Sequence, residues 1–167
     1  LTLVFPKWIQ GEHGPTGPIT DAVGLQITAA GQRVPWKRDP FDMHAYHLEV
    51  PPGATEIEVA LDFLSPTGAS GFTSAASATS QLFVLNWNQL LLYPKERAAN
   101  ATIVAASLRV PEGWKTATAL PVAQESGNQK IFAPVNLTTL VDSPVLAGLH
   151  FHSVELAAEP KHYLHLA

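Results

Sequence analysis

Proline sets the limits on how this chain can fold. Fourteen prolines are spread over 167 residues, about one every dozen, from Pro6 to Pro160. Each fixes its own φ, removes a backbone donor and is kept out of helix interiors and central strands. That spacing leaves room for many short strands and almost none for long helices. It predicts an all-β fold: an antiparallel β-sandwich of many short strands, with at most one or two short helical turns.

Hydrophobic alternation places the strands. Leu1 to Phe5 is apolar and β-prone and ends at Pro6. Leu25, Ile27 and Ala29 alternate with Gln26 and Thr28, and His44, Tyr46, Leu48 and Val50 share one face of the next run. Ile57, Val59, Leu61 and Phe63 alternate with Glu56, Glu58, Ala60 and Asp62, the clearest half-buried strand of the chain. Leu82 to Leu85 is apolar on both faces and is expected to lie deep or under another layer. Further strands are expected at Leu90 to Tyr93, Val104 to Val110, Ala117 to Val122, Leu149 to Leu156 and His162 to Leu166. Leu137 to Asp142 reads as one helical turn, capped by Thr138 or Thr139 and stopped by Pro144. Residues 65–80, SPTGASGFTSAASATS, are small, polar and Gly-bearing, and read as a flexible loop. With no internal repeat and no shift in composition, residues 1–167 read as a single domain. Both ends are apolar and strand-like, where domains usually end in polar residues, so we expect a piece of a longer polypeptide.

Charge and motifs exclude several functions. Ten Lys and Arg against fourteen Asp and Glu give a net charge of −4, and no basic block is present. The chain therefore carries no electrostatic footprint for nucleic acid or an anionic membrane surface. No apolar run reaches the 18 or so residues a membrane helix needs, and no signal-peptide pattern is seen. The absence of cysteine removes disulfides, thiolate zinc sites and Cys nucleophiles together. There is no H-E-x-x-H, no G-x-S-x-G, no P-loop and no G-x-G-x-x-G. His150 and His152 lie two apart and face one way in a strand, but a metal site needs a third ligand. The pairs His44/His47 and His162/His165 lie three apart and point to opposite faces. These patterns favour ordinary surface or interface histidines over a metal site, while a Ser-His-Asp set with members far apart in the chain stays open.

Two stretches are candidates for recognition. Gly11-Glu12-His13-Gly14-Pro15-Thr16-Gly17-Pro18 fixes a tight, irregular loop with Glu12 and His13 at its tip, facing either a ligand or a neighbouring domain, or simply water. Trp36-Lys37-Arg38-Asp39-Pro40 joins an aromatic to two cations and an anion. It reads either as a stacking and charge patch through Trp36, Arg38 and Asp39, or as a self-satisfied ion pair beside a half-buried Trp. Trp8, Trp87 and Trp114 each adjoin a turn signal, where core or rim packing is the default. Exposed tryptophans also line carbohydrate-binding sandwiches, which keeps a binding module in view.

A family likeness emerges from the ordered segments. Phe5-Pro6-Lys7-Trp8-Ile9 followed by Gly11 to Ile19 resembles the N-terminal region of the glycyl aminopeptidase family of zinc metallopeptidases, peptidase family M sixty-one. So do Pro35-Trp36-Lys37-Arg38-Asp39-Pro40, Asn86-Trp87-Asn88 with Leu92-Tyr93-Pro94, Pro111-Glu112-Gly113-Trp114-Lys115 with Ala119-Leu120-Pro121, and Leu140-Val141-Asp142-Ser143-Pro144 with Ala147-Gly148. Gln10 and Lys95-Glu96 depart from the family pattern, both in turns. The resemblance implies a non-catalytic β-rich N-terminal domain that packs on a thermolysin-like catalytic domain of the same polypeptide and helps shape its substrate cleft. Peptide substrate is then met only indirectly. The family's zinc and its Glu base belong to that catalytic domain, so the resemblance carries no catalytic residue onto this chain. It also implies that an early strand is missing, leaving an edge on which two copies of the fragment can pair as a dimer. Members are often exported, which suggests a periplasmic or secreted location. The alternative is a free-standing peptide- or carbohydrate-binding β-sandwich; a weaker third reading is an adhesion-type sandwich without a ligand.

Overall fold

The computed structural model describes residues 1–9, 11–68 and 76–167. These are almost all strand and turn, and all strand pairs are antiparallel. They gather into two compact units, one of residues 1–65 and 87–99 and one of 66–86 and 100–167.

The first unit is a small sandwich. It contains β1 (Thr2–Val4), β2 (Ala22–Ala29), β3 (Gln32–Arg33), β4 (Trp36–Arg38), β5 (Ala45–Leu48), β6 (Glu58–Phe63) and β9 (Tyr93–Pro94). One sheet has the order β4-β5-β1-β9 and the other β3-β2-β6. Leu3, Tyr46 and Leu48 from the first sheet share a core with Ile27 and Ala29 from the second, joined by Phe5, Ile19 and Val34. The alternation read in residues 57–63 holds in full: Val59, Leu61 and Phe63 are half-buried while Glu58, Ala60 and Asp62 are exposed. The pairing of β2 with β6 slips between Val23 and Gln26, a bulge centred on Gly24 at φ +66. A Cβ on Gly24 would meet only the movable end of the exposed Asp62 side chain, so it is the backbone angle that calls for glycine there. β2 turns into β3 through Ala30 and Gly31, both at positive φ, a two-residue hairpin loop in which Ala30 sits where glycine or asparagine is preferred.

The second unit holds β7 (Ser77–Ala78), β8 (Leu82–Leu85), β10 (Ile103–Val104), β11 (Ser107–Arg109), β12 (Lys115–Thr118), β13 (Val122–Ser126), β14 (Gln129–Phe132), β15 (Val135–Asn136), α1 (Leu137–Val141), β16 (Val145–Gly148), β17 (His152–Ala158) and β18 (Lys161–Leu166). Its sheets run β12-β16-β8-β7, β11-β14-β13, β10-β15 and β17-β18. Phe132, Leu140 and Val145 are its largest fully buried side chains.

Several strands differ from expectation for local reasons. The run from Val104 to Val110 keeps its alternation of burial, yet it divides into β10 and β11 because the two halves pair with different strands. Leu90 to Leu92 precede rather than form β9, since a 3-10 turn at Trp87–Gln89 closes with Leu90 N–H donating to Trp87 O at 3.0 Å. The strand expected over residues 117–122 is split into β12 and β13 by Pro121, which has no N–H for a ladder. β8 is half-buried on both faces rather than deep. The helical turn is α1, but its cap is Asn136 rather than Thr138 or Thr139: Asn136 Oδ1 accepts from Thr139 N–H at 2.8 Å. Ser77 and Ala78, within the segment read as a loop, pair with β8. Residues 69–75 of that segment, and Gln10, lie outside the described residues.

Candidate functional site

Of the recognition candidates, Trp36, Arg38 and Asp39 meet at the turn between β4 and β5, whereas Glu12 and His13 lie apart on the Gly11–Pro18 loop. Asp39 directly follows β4 and organises that turn. Its Oδ1 accepts the backbone N–H groups of Phe41 at 2.8 Å and Asp42 at 2.9 Å, and its Oδ2 lies 2.7 Å from His47 Nε2. The other ring nitrogen of His47 is 3.2 Å from Thr2 Oγ1 across the β1–β5 pair. The His47 hydrogen bond, followed by the two backbone donors, lowers the Asp39 pKa from 3.8 to about 2.

Arg38 is equally committed. Its Nη1 donates to Met43 O at 2.9 Å and its Nη2 to Tyr46 Oη at 3.0 Å, with the guanidinium carbon 4.9 Å from the Tyr46 ring centre. Trp36 meets the same ring edge-on at 5.3 Å and is half-buried. Burial raises the Tyr46 hydroxyl pKa, against the pull of Arg38. Among the described residues no ion pair joins Arg38 to Asp39: Arg38 donates to Met43 O and Tyr46 Oη, while Asp39 accepts from the turn and faces His47.

The Gly11–Pro18 loop is fastened beside this turn. Gly17 N–H donates to Lys7 O at 2.9 Å, and Gly17 O lies 3.3 Å from His44 Nε2. Lys7 Nζ in turn pairs with Asp42 Oδ1 at 2.9 Å, and that contact leads the forces lowering the Asp42 pKa. Gly17 is required by space: a Cβ there would sit 2.0 Å from Pro6 O. Glu12 is half-buried and His13 is exposed at the loop tip.

What this frame presents outward was not read from the sequence. Phe41, at the apex of the turn, is 99% exposed. Trp8, next to Lys7, is 65% exposed, and Met43 is exposed as well, so the Lys7–Asp42 ion pair joins segments that carry three apolar side chains into water. Trp8 thus departs from the packing expected of it, whereas Trp87 is buried and Trp114 stacks on Phe83 at 6.0 Å. The one signal for Phe41 was its place inside Asp39-Pro40-Phe41-Asp42, a turn sequence that lifts an aromatic off both sheets.

Among the described residues no three His, Cys, Asp or Glu side chains gather as metal ligands. His150 lies in a turn and His152 opens β17, so the two do not share a strand face. Among the described residues, no helix is long and apolar enough to cross a membrane.

Comparison with known proteins places the chain. The family model described as Peptidase M61 N-terminal domain matches residues 1–149. The chain belongs to that family. No curated protein matches it significantly. Among solved structures, this M61 N-terminal domain is similar to an aminopeptidase N family protein from Idiomarina loihiensis, with a TM-score of 0.83 and 21% identity over 99% of the chain. It spans only 27% of that protein's length. The M61 resemblance read from Phe5 to Gly148 and the all-β fold are therefore both established. The family suggests a zinc centre, and the described residues of the M61 N-terminal domain offer no ligand set that fits one.

Proposed function

We propose that the chain is the non-catalytic N-terminal domain of a zinc metallo-aminopeptidase-like polypeptide. In this reading it packs on the catalytic domain and helps shape the substrate cleft, and zinc is held by the catalytic domain. The observation that carries the proposal is Phe41. At 99% exposure it stands with the exposed Trp8 and Met43 on segments joined by the Lys7–Asp42 ion pair, and a group of apolar side chains in water, rather than a single one, marks a contact surface. Phe41 stands on a turn whose carboxylates, guanidinium and backbone donors are all fixed, which is how a preformed contact is presented to a neighbour.

The test is kinetic. Phe41→Ala in the polypeptide as its gene encodes it is expected to change kcat/KM on glycyl and alanyl peptides by about tenfold, the scale of one buried aromatic contact at an interface. The thermal stability of the 167-residue chain should be untouched by the same change. Unaltered kinetics, together with unaltered stability of the polypeptide, would remove Phe41 from any interface. A second reading, a free-standing peptide- or carbohydrate-binding module, is favoured by the exposure of Trp8 beside it. Saturable binding of short peptides or oligosaccharides by the 167-residue chain, lost in Trp8→Ala, would select that reading.

A further inference from the structure

The hairpin β17–β18 combines two features: it is exposed along nearly its whole length, and its strands form a two-stranded sheet of their own. Every residue from His152 to Ala167 is exposed except His165, which is half-buried. The two strands pair with each other alone, through Val154 opposite Leu164 and His152 opposite Leu166, with Leu156 as the extra residue of a bulge. Register therefore sorts the ribbon into two faces. One carries Val154, Leu164 and Leu166, which are 38% to 50% exposed. The other carries Ser153, Glu155, Tyr163 and His165, where Ser153 Oγ lies 2.9 Å from His165 Nδ1 and the Tyr163 and His165 rings stack at 6.1 Å. The polar face is satisfied by itself and the aliphatic face is left in water. An isolated two-stranded ribbon is marginal at best; it needs a third strand or a layer over its apolar face.

We infer that β17 and β18 are the opening strands of the next folding unit of the same polypeptide, and that the segment following Ala167 covers the face of Val154, Leu164 and Leu166. This rests on the reading that the chain is one part of a longer protein. Two observations select the occupant. The match to the family model ends at Leu149, before β17 begins, so the hairpin lies outside the matched stretch of the N-terminal domain. The solved relative matches across 99% of this chain, hairpin included, and only 27% of its own length is used in doing so. An amphipathic ribbon placed after one domain, in a fold whose relative continues well beyond it, has its cover supplied in cis.

Amide hydrogen exchange tests the inference, comparing the 167-residue chain with the polypeptide as its gene encodes it. Amides of residues 152–166 are expected to exchange at nearly unfolded rates in the chain alone and about a hundredfold or more slower in the polypeptide, while β2 and β6 are protected in both. Val154→Asp with Leu164→Asp should abolish the added protection and leave β2 and β6 as they were; the wild-type comparison decides the matter even where that variant does not fold. Equal exchange in the two proteins overturns the inference. So does protection in the 167-residue chain that rises with its concentration alongside a dimer in light scattering, which would make a second copy the occupant. Zinc analysis of the polypeptide separates the two proposals. Bound zinc with an unprotected hairpin defeats this inference alone, and a protected hairpin in a zinc-free polypeptide defeats the peptidase reading alone.

Discussion

Gly17→Ala probes the joint that fixes the Gly11–Pro18 loop beside the β4–β5 turn. The added Cβ would lie 2.0 Å from Pro6 O and 3.1 Å from both Cα and O of Lys7. All three are backbone atoms, so no side chain can rotate away. Relief requires the loop to withdraw, which breaks the 2.9 Å bond from Gly17 N–H to Lys7 O and the 3.3 Å contact of Gly17 O with His44 Nε2. Overpacking of this kind costs roughly 1–3 kcal/mol. Two buried hydrogen bonds add about 1 kcal/mol each. The sum, about 3–5 kcal/mol, corresponds to a fall in Tm of roughly 6–20 °C for a chain of this length. Thermal unfolding followed by circular dichroism measures it. Gly14→Ala, in the same loop, is the control: its nearest neighbour to a new Cβ is Thr16 Cγ2 at 3.9 Å, and the change should stay within about 0.5 kcal/mol. A Gly17→Ala protein as stable as Gly14→Ala would refute the close approach and the fastened loop built on it.

Asp39 makes stability depend on pH. Its folded pKa is lowered from 3.8 to about 2, so its contribution is complete above 3.8 and is lost as pH falls through that interval toward 2. Asp39→Asn should therefore lower Tm at pH 6 and lose part of the acid dependence between pH 4 and pH 2, as thermal scans across that range will show. Ala30 occupies a positive-φ hairpin position at φ 48, where Ala30→Asn should raise stability by about 1 kcal/mol, or roughly 2–4 °C in Tm. A loss of stability there would mean that the turn is not of the kind described.

The sequence carried the strands better than their partners. Glu58 to Phe63 was legible because one sheet face is wet and the other is core, and that contrast is written into every second residue. Val104 to Val110 shows the limit. Its alternation of burial is real, but the division between β10 and β11 depends on which strands arrive alongside, β15 and β14, and no local pattern records that. The candidate site was legible in part for the same reason. Arg38 and Asp39 stood out as charges beside Trp36, yet their partners Tyr46 and His47, and Thr2 behind His47, are brought to them only by the folding of β4, β5 and β1. Phe41 was hidden because hydrophobicity argues for burial, whereas the turn at Asp39 lifts it into solvent. Asn136 was passed over as a cap because the two threonines after it compete for the same role by type.

Zinc content and peptidase turnover, measured side by side on the 167-residue chain and on the polypeptide encoded by its gene, bear most directly on the central claim. The account predicts stoichiometric zinc and cleavage of glycyl or alanyl peptides in the longer protein, with neither in the 167 residues alone. One tightly held zinc ion and measurable turnover in the 167-residue chain would contradict it.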